Sequence, residues 1–328
     1  MKKKVVTAII AALLTFSVQS HEMQKAPREK VSIALDWFVN ADHAPLYVAE
    51  EIGAFKEQGI DVDIIVPKEN SIDLTSEIIN HNIDLIISYQ PSIYQSVEKG
   101  KPLVRVGTLM NQPLDMIAAL PSSHINTLKD LKGKSIGYAS GDPKPFALET
   151  MLATAGLTLS DIHLVNVGYK LVPALENKSV DAVYEVLRNI EGVELAYDTH
   201  TSPVEFHAEN YGLPRFDELI VVANKNYVNE RKIAKFMQAL KKGTEYLLAH
   251  PEESWKKFAA THPYMNNERE HATWNASLQY FAHNPISLNK QRYISYRDFL
   301  YDHHQINKKL PISHYAVELK FTNKYEKQ

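Results

Sequence analysis

The hydrophobic pattern from residue 31 onward alternates between the period of a strand and the period of a helix. Apolar side chains occupy every second position over residues 31–35, which is typical of a half-buried strand. Over residues 44–57 they recur at helical spacing, and Gly59 follows as a helix-ending residue. The alternation continues with a strand, a helix and a strand over residues 61–66, 71–79 and 84–88. This order predicts crossover connections and a doubly wound sheet.

A second unit with the same pattern begins near residue 116. Its predicted strands and helices, in chain order, cover residues 134–138, 145–155, 163–167, 172–177, 180–183 and 191–196. A strand over residues 218–223 leads back to the first unit, and the chain from residue 232 onward is almost entirely helical. We therefore predict an α/β protein with two doubly wound lobes, joined by two chain crossings that form a hinge beside a cleft. Lobe I comprises residues 31–115 and 220–328, and lobe II comprises residues 116–219. Two independent domains without a shared cleft are the alternative.

The N-terminus has the pattern of a secretory signal peptide. Three lysines follow Met1, an apolar run covers residues 5–18, and Ser20 suits the small position before a cleavage site. The run is shorter than the roughly 20 residues that a membrane-spanning helix needs, and an uncleaved anchor helix is the alternative. We predict that residues 1–20 are removed on export to the periplasm. The mature protein is predicted to carry no lipid anchor, because the chain has no cysteine that could be acylated.

Composition limits the chemistry that the protein can carry out. The chain has 328 residues, of which 45% are apolar, 23% are charged and none is cysteine. The absence of cysteine excludes disulfides, thiolate nucleophiles, thiolate zinc sites and iron–sulfur clusters. A formal charge of -3 gives no basic surface for nucleic acid. The histidines do not follow a metal-binding spacing such as His-Glu-x-x-His, so neither a metal nor another cofactor is predicted.

Candidate binding residues follow the first predicted strand. Asp36, Trp37 and Asn40 offer a carboxylate, an indole and an amide, which suit a planar ligand with hydrogen-bonding edges. Ligands of doubly wound proteins bind at the carboxyl ends of the strands, where these residues lie. The alternative is that Trp37 packs in the core and Asp42 caps the next helix.

Three further strand ends carry candidate residues. Tyr89 follows the strand at residues 84–88, Asp142 lies in the strand-to-helix turn at residues 140–145, and Glu191 opens a predicted helix. Glu191 could accept two hydrogen bonds from an amino-substituted heterocycle, and the turn could offer N–H groups to an anion. The turn lacks the glycine motifs of nucleotide-binding loops. The alternatives are a half-buried loop tyrosine, an ordinary tight turn and a glutamate that favours the helix dipole.

Several short sequences together identify a known family. They are Leu35-Asp36-Trp37, Gly53-Ala54-Phe55-Lys56-Glu57-Gln58-Gly59, Ser88-Tyr89-Gln90-Pro91-Ser92, Asn189…Glu191 and Tyr211-Gly212-Leu213-Pro214. Over residues 31–260 the chain resembles the periplasmic substrate-binding proteins of thiamine-precursor ABC transporters, in the thiamine pyrimidine synthase-like superfamily. The resemblance implies a type-II periplasmic binding protein fold and a formylaminopyrimidine or hydroxymethylpyrimidine ligand. It also implies an ABC permease of the inner membrane as partner, and we expect the protein to be a monomer.

The resemblance also implies roles for particular residues. Asp36 and Trp37 would line the pocket, Tyr89 would stack on the ring, and Glu191 would pair with a ring nitrogen and the amino group. Asn40 and Asp142, which lie at strand ends of the same kind, complete the predicted binding set.

Two other functions are open at this point. The superfamily also contains fungal enzymes that make the pyrimidine and need a Schiff-base lysine, a histidine four residues later and a cysteine-rich segment. This chain has Ser88 and Ser92 at the first two positions and no cysteine over residues 210–222, so we predict binding without catalysis. The second alternative is a binding protein for an alkyl sulfonate or another small anion, which would need Arg188 or the turn at Gly141 in the cleft.

Overall fold

A computed structural model describes residues 27–67, 74–139, 145–168, 170–228 and 231–319. The predicted signal peptide, Asp142 and the turn around Gly141 lie outside these ranges. Within the ranges, no helix has the length and apolar character needed to cross a membrane.

Strands and helices alternate along the first two thirds of the described chain, as the hydrophobic pattern predicts. The strands are β1 (Glu29–Ala34), β2 (Ile60–Ile65), β3 (Leu85–Ser88), β4 (Leu103–Met110), β5 (Asp115–Ala119), β6 (Ser135–Tyr138), β7 (His163–Asn166), β8 (Ala182–Leu187), β9 (Val204–His207) and β10 (Leu219–Asn224). The α-helices are α1 (Ala44–Glu51), α2 (Ala54–Glu57), α3 (Leu74–Ile79), α4 (Gln90–Glu98), α5 (Phe146–Thr154), α6 (Leu171–Glu176), α7 (Glu191–Thr199), α8 (Arg231–Ala249), α9 (Pro251–Thr261), α10 (Glu268–Ser277) and α11 (Lys290–Asp302). A 3-10 helix over Ala41–His43 directly precedes α1.

The first sheet combines strands from both ends of the chain. Its order is β2-β1-β3-β10-β4. β1 runs parallel to β2 and β3, whereas β10 is antiparallel to both of its neighbours. Every residue of β10 is buried, as expected for an inner strand that is covered on both faces.

The second sheet has the same plan and is linked to the first by two chain crossings. Its order is β7-β6-β8-β5-β9, with β6 parallel to β7 and β8, and β5 antiparallel to β8 and β9. The chain leaves the first sheet between β4 and β5 and returns between β9 and β10. The two crossings lie side by side. The backbone N–H of Leu114 in the first crossing donates to Glu218 Oε2 in the second over 2.6 Å.

Helices pack closely on the first sheet and fix the start of α1. Gly243 of α8 lies so near α1 that an added Cβ would be 2.5 Å from the Ala49 Cβ. Phe236 of α8 stacks on Phe55 of α2, with ring centroids 5.2 Å apart. This packing holds α1 and α2 against α8, and it therefore fixes the residues between β1 and α1 that face the second sheet.

The structure differs from the predicted elements in three places. The helix predicted over residues 44–57 is split into α1 and α2, because Gly53 adopts a left-handed φ of 74°. The strands β4, β5 and β9 were not predicted, and β4 is buried along its whole length even though it contains Arg105. Finally, β8 continues to Leu187, so Tyr184 and Glu185 belong to the strand and do not follow it.

Candidate ligand-binding site

A cavity of about 1000 Å³ lies between the two sheets, at the carboxyl ends of β1, β3 and β8. The segments after β1 and β3 line one side, and the end of β8 and the start of α7 line the other. The cavity collects five of the six binding residues predicted from the sequence, namely Asp36, Trp37, Asn40, Tyr89 and Glu191. Its volume falls in the range typical of small-molecule pockets.

One side of the cavity carries aromatic rings that are held by hydrogen bonds. The Tyr89 hydroxyl donates to Asp36 Oδ2 over 2.5 Å, and Asp36 Oδ1 lies 3.0 Å from His43 Nε2. Trp37 is half-buried at the same side, so it is not a core residue. We call Trp37 and Tyr89, with Asp36 and His43 behind them, the aromatic wall.

The hydrogen bonds of the aromatic wall set the ionisation of its members. Burial favours a neutral Asp36, but the hydrogen bond and charge of His43, together with the Tyr89 hydrogen bond, outweigh burial and lower the pKa of Asp36. Burial and the adjacent Asp36 carboxylate raise the pKa of the Tyr89 hydroxyl well above its usual range. At neutral pH the wall therefore pairs a carboxylate with a neutral phenol, and the donor and the acceptor are matched.

Asn40, and not Asp42, provides the helix cap after β1. Asn40 Oδ1 accepts a hydrogen bond from the Asp42 N–H over 2.9 Å and caps the 3-10 helix, so the alternative in which Asp42 is the cap is wrong. The Asp42 carboxyl is buried instead, where Oδ1 accepts from Asn189 Nδ2 over 2.6 Å and from Ser277 Oγ over 3.2 Å. Asn40 still lines the cavity.

Glu191 reaches the cavity from the opposite side, at the first residue of α7. Its Oε2 accepts a hydrogen bond from the Leu187 N–H over 2.8 Å, which ties the side chain back to the end of β8. Burial raises the pKa of Glu191 to about 7, because the backbone hydrogen bonds compensate only in part and the charge of Asp42 acts in the same direction as burial. Near pH 7 this carboxyl can therefore both accept and donate hydrogen bonds.

Six further carboxyl groups line the cavity and were not among the predicted site residues: Asp42, Asp115, Glu185, Glu194, Glu218 and Glu270. Glu185 is the bulged residue of β8, because Met116 pairs with Val186 while Ile117 pairs with Tyr184. Its φ of 65° is left-handed, and its Oε2 accepts from the Ala139 N–H over 2.8 Å. A bulge redirects one side chain of a strand, but no sequence signal marks its position.

Glu218 could have been found from the sequence, because it begins the strand predicted over residues 218–223 that follows the second crossing. Asp115 begins β5, which is not among the predicted strands. Burial and the charge of Glu185 raise the pKa of Asp115 to about 7. Burial and the charge of Asp115 raise the pKa of Glu218 well above its ordinary value. We call Asp115, Glu185, Glu191 and Glu218 the acidic wall.

Among the described residues that line the cavity, acidic side chains outnumber basic ones. Among its described lining residues the one Lys or Arg is Arg269, which is paired with Glu194, Asp198 and Glu270. Arg188 is not part of the lining, because its two terminal nitrogens bond to Glu209 over 3.0 and 2.8 Å. The lining therefore suits a ligand rich in hydrogen-bond donors or positive charge, and it opposes an anion.

This fold, with a cavity between its two sheets, defines a class of protein. The structure of the periplasmic aliphatic sulphonate binding protein of Escherichia coli matches 87% of this chain and 96% of its own, with a TM-score of 0.66 and 18% sequence identity. The chain therefore has the type-II periplasmic binding protein fold that was predicted from its sequence.

Sequence comparison assigns the chain within this class. The family model described as NMT1/THI5 like matches residues 40–254, and the protein belongs to that family. A Haemophilus influenzae protein named for thiamine biosynthesis is 40% identical over 293 residues, which are 89% of this chain and 93% of the relative. The formylaminopyrimidine-binding protein of Halalkalibacterium halodurans is 33% identical over 256 residues, which are 76% of each chain.

Proposed function

We propose that this protein is the substrate-binding component of an ABC importer and that it captures an aminopyrimidine precursor of thiamine. The observation that carries the proposal is that aromatic rings line one side of the cavity and a carboxyl group whose pKa is raised to about 7 lines the other. Trp37 and Tyr89 lie on one side, and Glu191 lies on the other. Its relative in Halalkalibacterium halodurans is named for binding a ligand of this chemical type.

The geometry suggests how such a ligand is held. A flat pyrimidine ring stacks against Trp37 and Tyr89 of the aromatic wall, where a ring–ring contact contributes about 0.5–1.5 kcal/mol beyond its buried area. The edge of the ring, with an amino group beside a ring nitrogen, meets Glu191. The carboxyl accepts from the amino group and shares a proton with the ring nitrogen, and each charge-assisted bond contributes about 1.5–3 kcal/mol.

The transport setting follows from the fold and the N-terminal sequence. We propose that residues 1–20 direct export, that the mature protein is a periplasmic monomer, and that it delivers its ligand to an inner-membrane permease. We also propose that the two sheets with their helices, over residues 31–115 with 220–328 and over residues 116–219, are lobes that close on the ligand about the two crossings. Closure of this kind is the hinge motion expected for two rigid lobes.

Calorimetry of the mature protein tests the proposed ligand. Formylaminopyrimidine should bind with micromolar affinity or tighter, which corresponds to about -8 kcal/mol. Taurine is the matched anionic probe and should give no binding heat, because the acidic lining opposes a sulfonate. Binding of taurine without binding of the pyrimidine would contradict the proposal.

The proposal of binding without catalysis has its own test. The protein is incubated with formylaminopyrimidine at a concentration above the dissociation constant, and the small molecule is recovered and weighed by mass spectrometry. We expect its mass to be unchanged. A product of altered mass that disappears in a Glu191→Ala variant would instead establish an enzyme.

A further inference from the structure

A buried side-chain contact joins the two sides of the cavity, and one of its partners, Asp42, belongs to the cavity lining. Asp42 lies in the segment that follows β1 of the first sheet, and Asn189 lies in the segment that follows β8 of the second sheet. Asn189 Nδ2 donates to Asp42 Oδ1 over 2.6 Å and to Ser277 Oγ over 2.8 Å. Each of the three residues is 1% exposed or less. The contact therefore connects the segment after β1, the segment after β8 and the last residue of α10.

This contact is linked to both walls of the cavity. On one side, His43 follows Asp42 in the same 3-10 helix and bonds to Asp36, which accepts the Tyr89 hydroxyl. On the other side, Asn189 lies two residues before Glu191. The 3-10 helix over Ala41–His43 is therefore linked to both walls. His43 supports Asp36 and, through it, Tyr89. Asp42 bonds to Asn189, which lies in the segment that carries Glu191.

The contact is not the arrangement that would best stabilise a core. Asp42 Oδ2 and Asn189 Oδ1 are both buried and have no hydrogen-bond partner. Buried acceptors without a partner are unfavourable, and a pair of apolar side chains of similar size would avoid that cost. A polar pair at this place needs a reason other than stability, and its position between the two sheets provides one.

We propose that Asp42 and Asn189 are positioning residues: their hydrogen bond favours the closed arrangement of the lobes with and without ligand, and it places Glu191 against the bound ring. The proposal rests on the proposed function, because Glu191 is taken there to read the ring edge. Asn189 is not among the lining residues, and the Asp42 carboxyl, although at the lining, is bonded to Asn189 and Ser277, so both residues act through Glu191. The α7–α10 contacts of Tyr197 with Glu268 and of Arg269 with Asp198, at the other end of α10, also join the two sides and support the same closed arrangement.

The charges around Asp42 give the proposal a pH signature. His43 and Asp36 act on Asp42 from its own side, and Glu191 and Glu218 lie near it from the facing segments. In an Asn189→Asp variant two carboxyl groups face each other, and they repel when both are ionised but share a proton when one is neutral. Ligand binding by this variant should therefore be weak at pH 8 and partly recover at pH 5.5.

Calorimetry with formylaminopyrimidine tests the positioning role. Asp42→Ala and Asn189→Asp should each weaken binding about tenfold at pH 8, which equals about 1.4 kcal/mol. The exchanged pair, D42N combined with N189D, restores one donor facing one acceptor and should bind within about threefold of the wild type. Asp181→Asn is the control, because Asp181 bonds to Ser135 at the opposite end of β6 and should leave the dissociation constant unchanged. An exchanged pair no better than Asn189→Asp alone overturns the proposal.

Lobe closure is measured separately, so that failure of the ligand assignment does not hide the result. The chain has no cysteine, so spin labels can be attached at Lys99→Cys and Lys129→Cys, two exposed positions in different lobes. Without ligand, Asn189→Asp should lengthen the distances between the labels at pH 8, and the exchanged pair should reverse the change. Equal distances in all variants overturn the proposal, whether or not the wild type binds the pyrimidine.

Discussion

The two walls of the cavity are built in opposite ways. In the aromatic wall, both oxygens of Asp36 have partners, and its pKa is lowered although burial acts against ionisation. In the acidic wall, carboxyl groups lie near one another and burial dominates, so the pKa values of Asp115 and Glu191 are both raised to about 7. The aromatic wall favours the ionised form of its carboxyl group, whereas burial disfavours the ionised forms of Asp115, Glu191 and Glu218.

This difference indicates how binding energy is divided. The aromatic wall is organised before the ligand arrives, so stacking on it costs little rearrangement. The acidic wall holds carboxyl groups that water and the protein stabilise poorly, and a ligand with N–H donors supplies what they lack. We therefore expect the acidic wall to dominate affinity and pH dependence, and the aromatic wall to contribute shape and a smaller share of the energy.

Removal of the Glu191 carboxyl should have the largest effect on binding. Glu191→Ala eliminates the hydrogen bonds at the ring edge, and it should weaken formylaminopyrimidine binding about hundredfold, or roughly 2.7 kcal/mol. Calorimetry at pH 7 measures the change. Glu176→Ala removes an exposed carboxyl at the end of α6 in the same half of the molecule and serves as the control. If both variants bind within threefold of the wild type, the acidic wall does not read the ring.

The stability of the ligand-free protein should fall as pH rises from 5 to 8. The folded-state pKa values of Asp42, Asp115 and Glu191 lie above their ordinary values, at about 6, 7 and 7. A raised acid pKa means that the stabilisation is complete below the unfolded-state pKa, near 4, and is lost as pH rises through the folded-state pKa. Asp36, with its lowered pKa, changes stability only in the acidic range below this window.

Urea unfolding at pH 5 and pH 8 measures this effect. We expect the free energy of unfolding to be larger at pH 5 by on the order of 5 kcal/mol. Asp115→Asn should reduce the difference, since the amide does not titrate, whereas Asp130→Asn at an exposed capping position should not. Greater stability at pH 8 than at pH 5 would show that the acidic wall is not strained by its charges.

Much of the fold could be predicted because hydrophobic period and helix-ending residues are local signals. The strands β1, β2 and β3 and the long helix α8 follow directly from them. β4 was missed because Arg105 interrupts its apolar pattern, and its burial depends on carbonyl oxygens of residues 285–287, which are distant in sequence. The helical pattern predicts one continuous helix through Gly53, because nothing in the sequence shows that the φ of this residue is positive.

The candidate site shows the same contrast. Some of its residues follow from local sequence signals, and others depend on contacts between distant segments. Asp36, Trp37 and Tyr89 were predictable, because a strand end places the next side chains at a cleft. Glu185 depends on a bulge in the pairing of β5 with β8, and the buried role of Asp42 depends on Asn189. Both require contacts between segments far apart in the chain, and hydrophobic period does not encode such contacts.

Removal of the Trp37 ring should weaken binding less than removal of the Glu191 carboxyl. Trp37→Ala deletes one stacking surface but leaves Tyr89 and the acidic wall in place, so we expect about a tenfold weaker dissociation constant, or ~1.4 kcal/mol. Calorimetry gives the affinity, and Trp37→Phe should recover most of it because a flat ring remains. Tyr227→Ala, at an exposed ring that is not among the residues lining the cavity, is the comparison variant. A loss in Trp37→Ala larger than that in Glu191→Ala would reverse the proposed ranking of the two walls.

The smallest effect on affinity should come from the Tyr89 hydroxyl. Tyr89→Phe keeps the ring but removes the donor to Asp36 Oδ2, so the stacking surface survives while the support behind it loses one hydrogen bond. Urea unfolding should show a loss of about 1 kcal/mol, and the dissociation constant for formylaminopyrimidine should change by less than about threefold, or ~0.7 kcal/mol. The pairing of a clear loss of stability with a nearly constant affinity is what separates a supporting bond from a ligand contact. If affinity falls as far in Tyr89→Phe as in Trp37→Ala, the hydroxyl itself binds the ligand, and the aromatic wall then recognises polar groups as the acidic wall does.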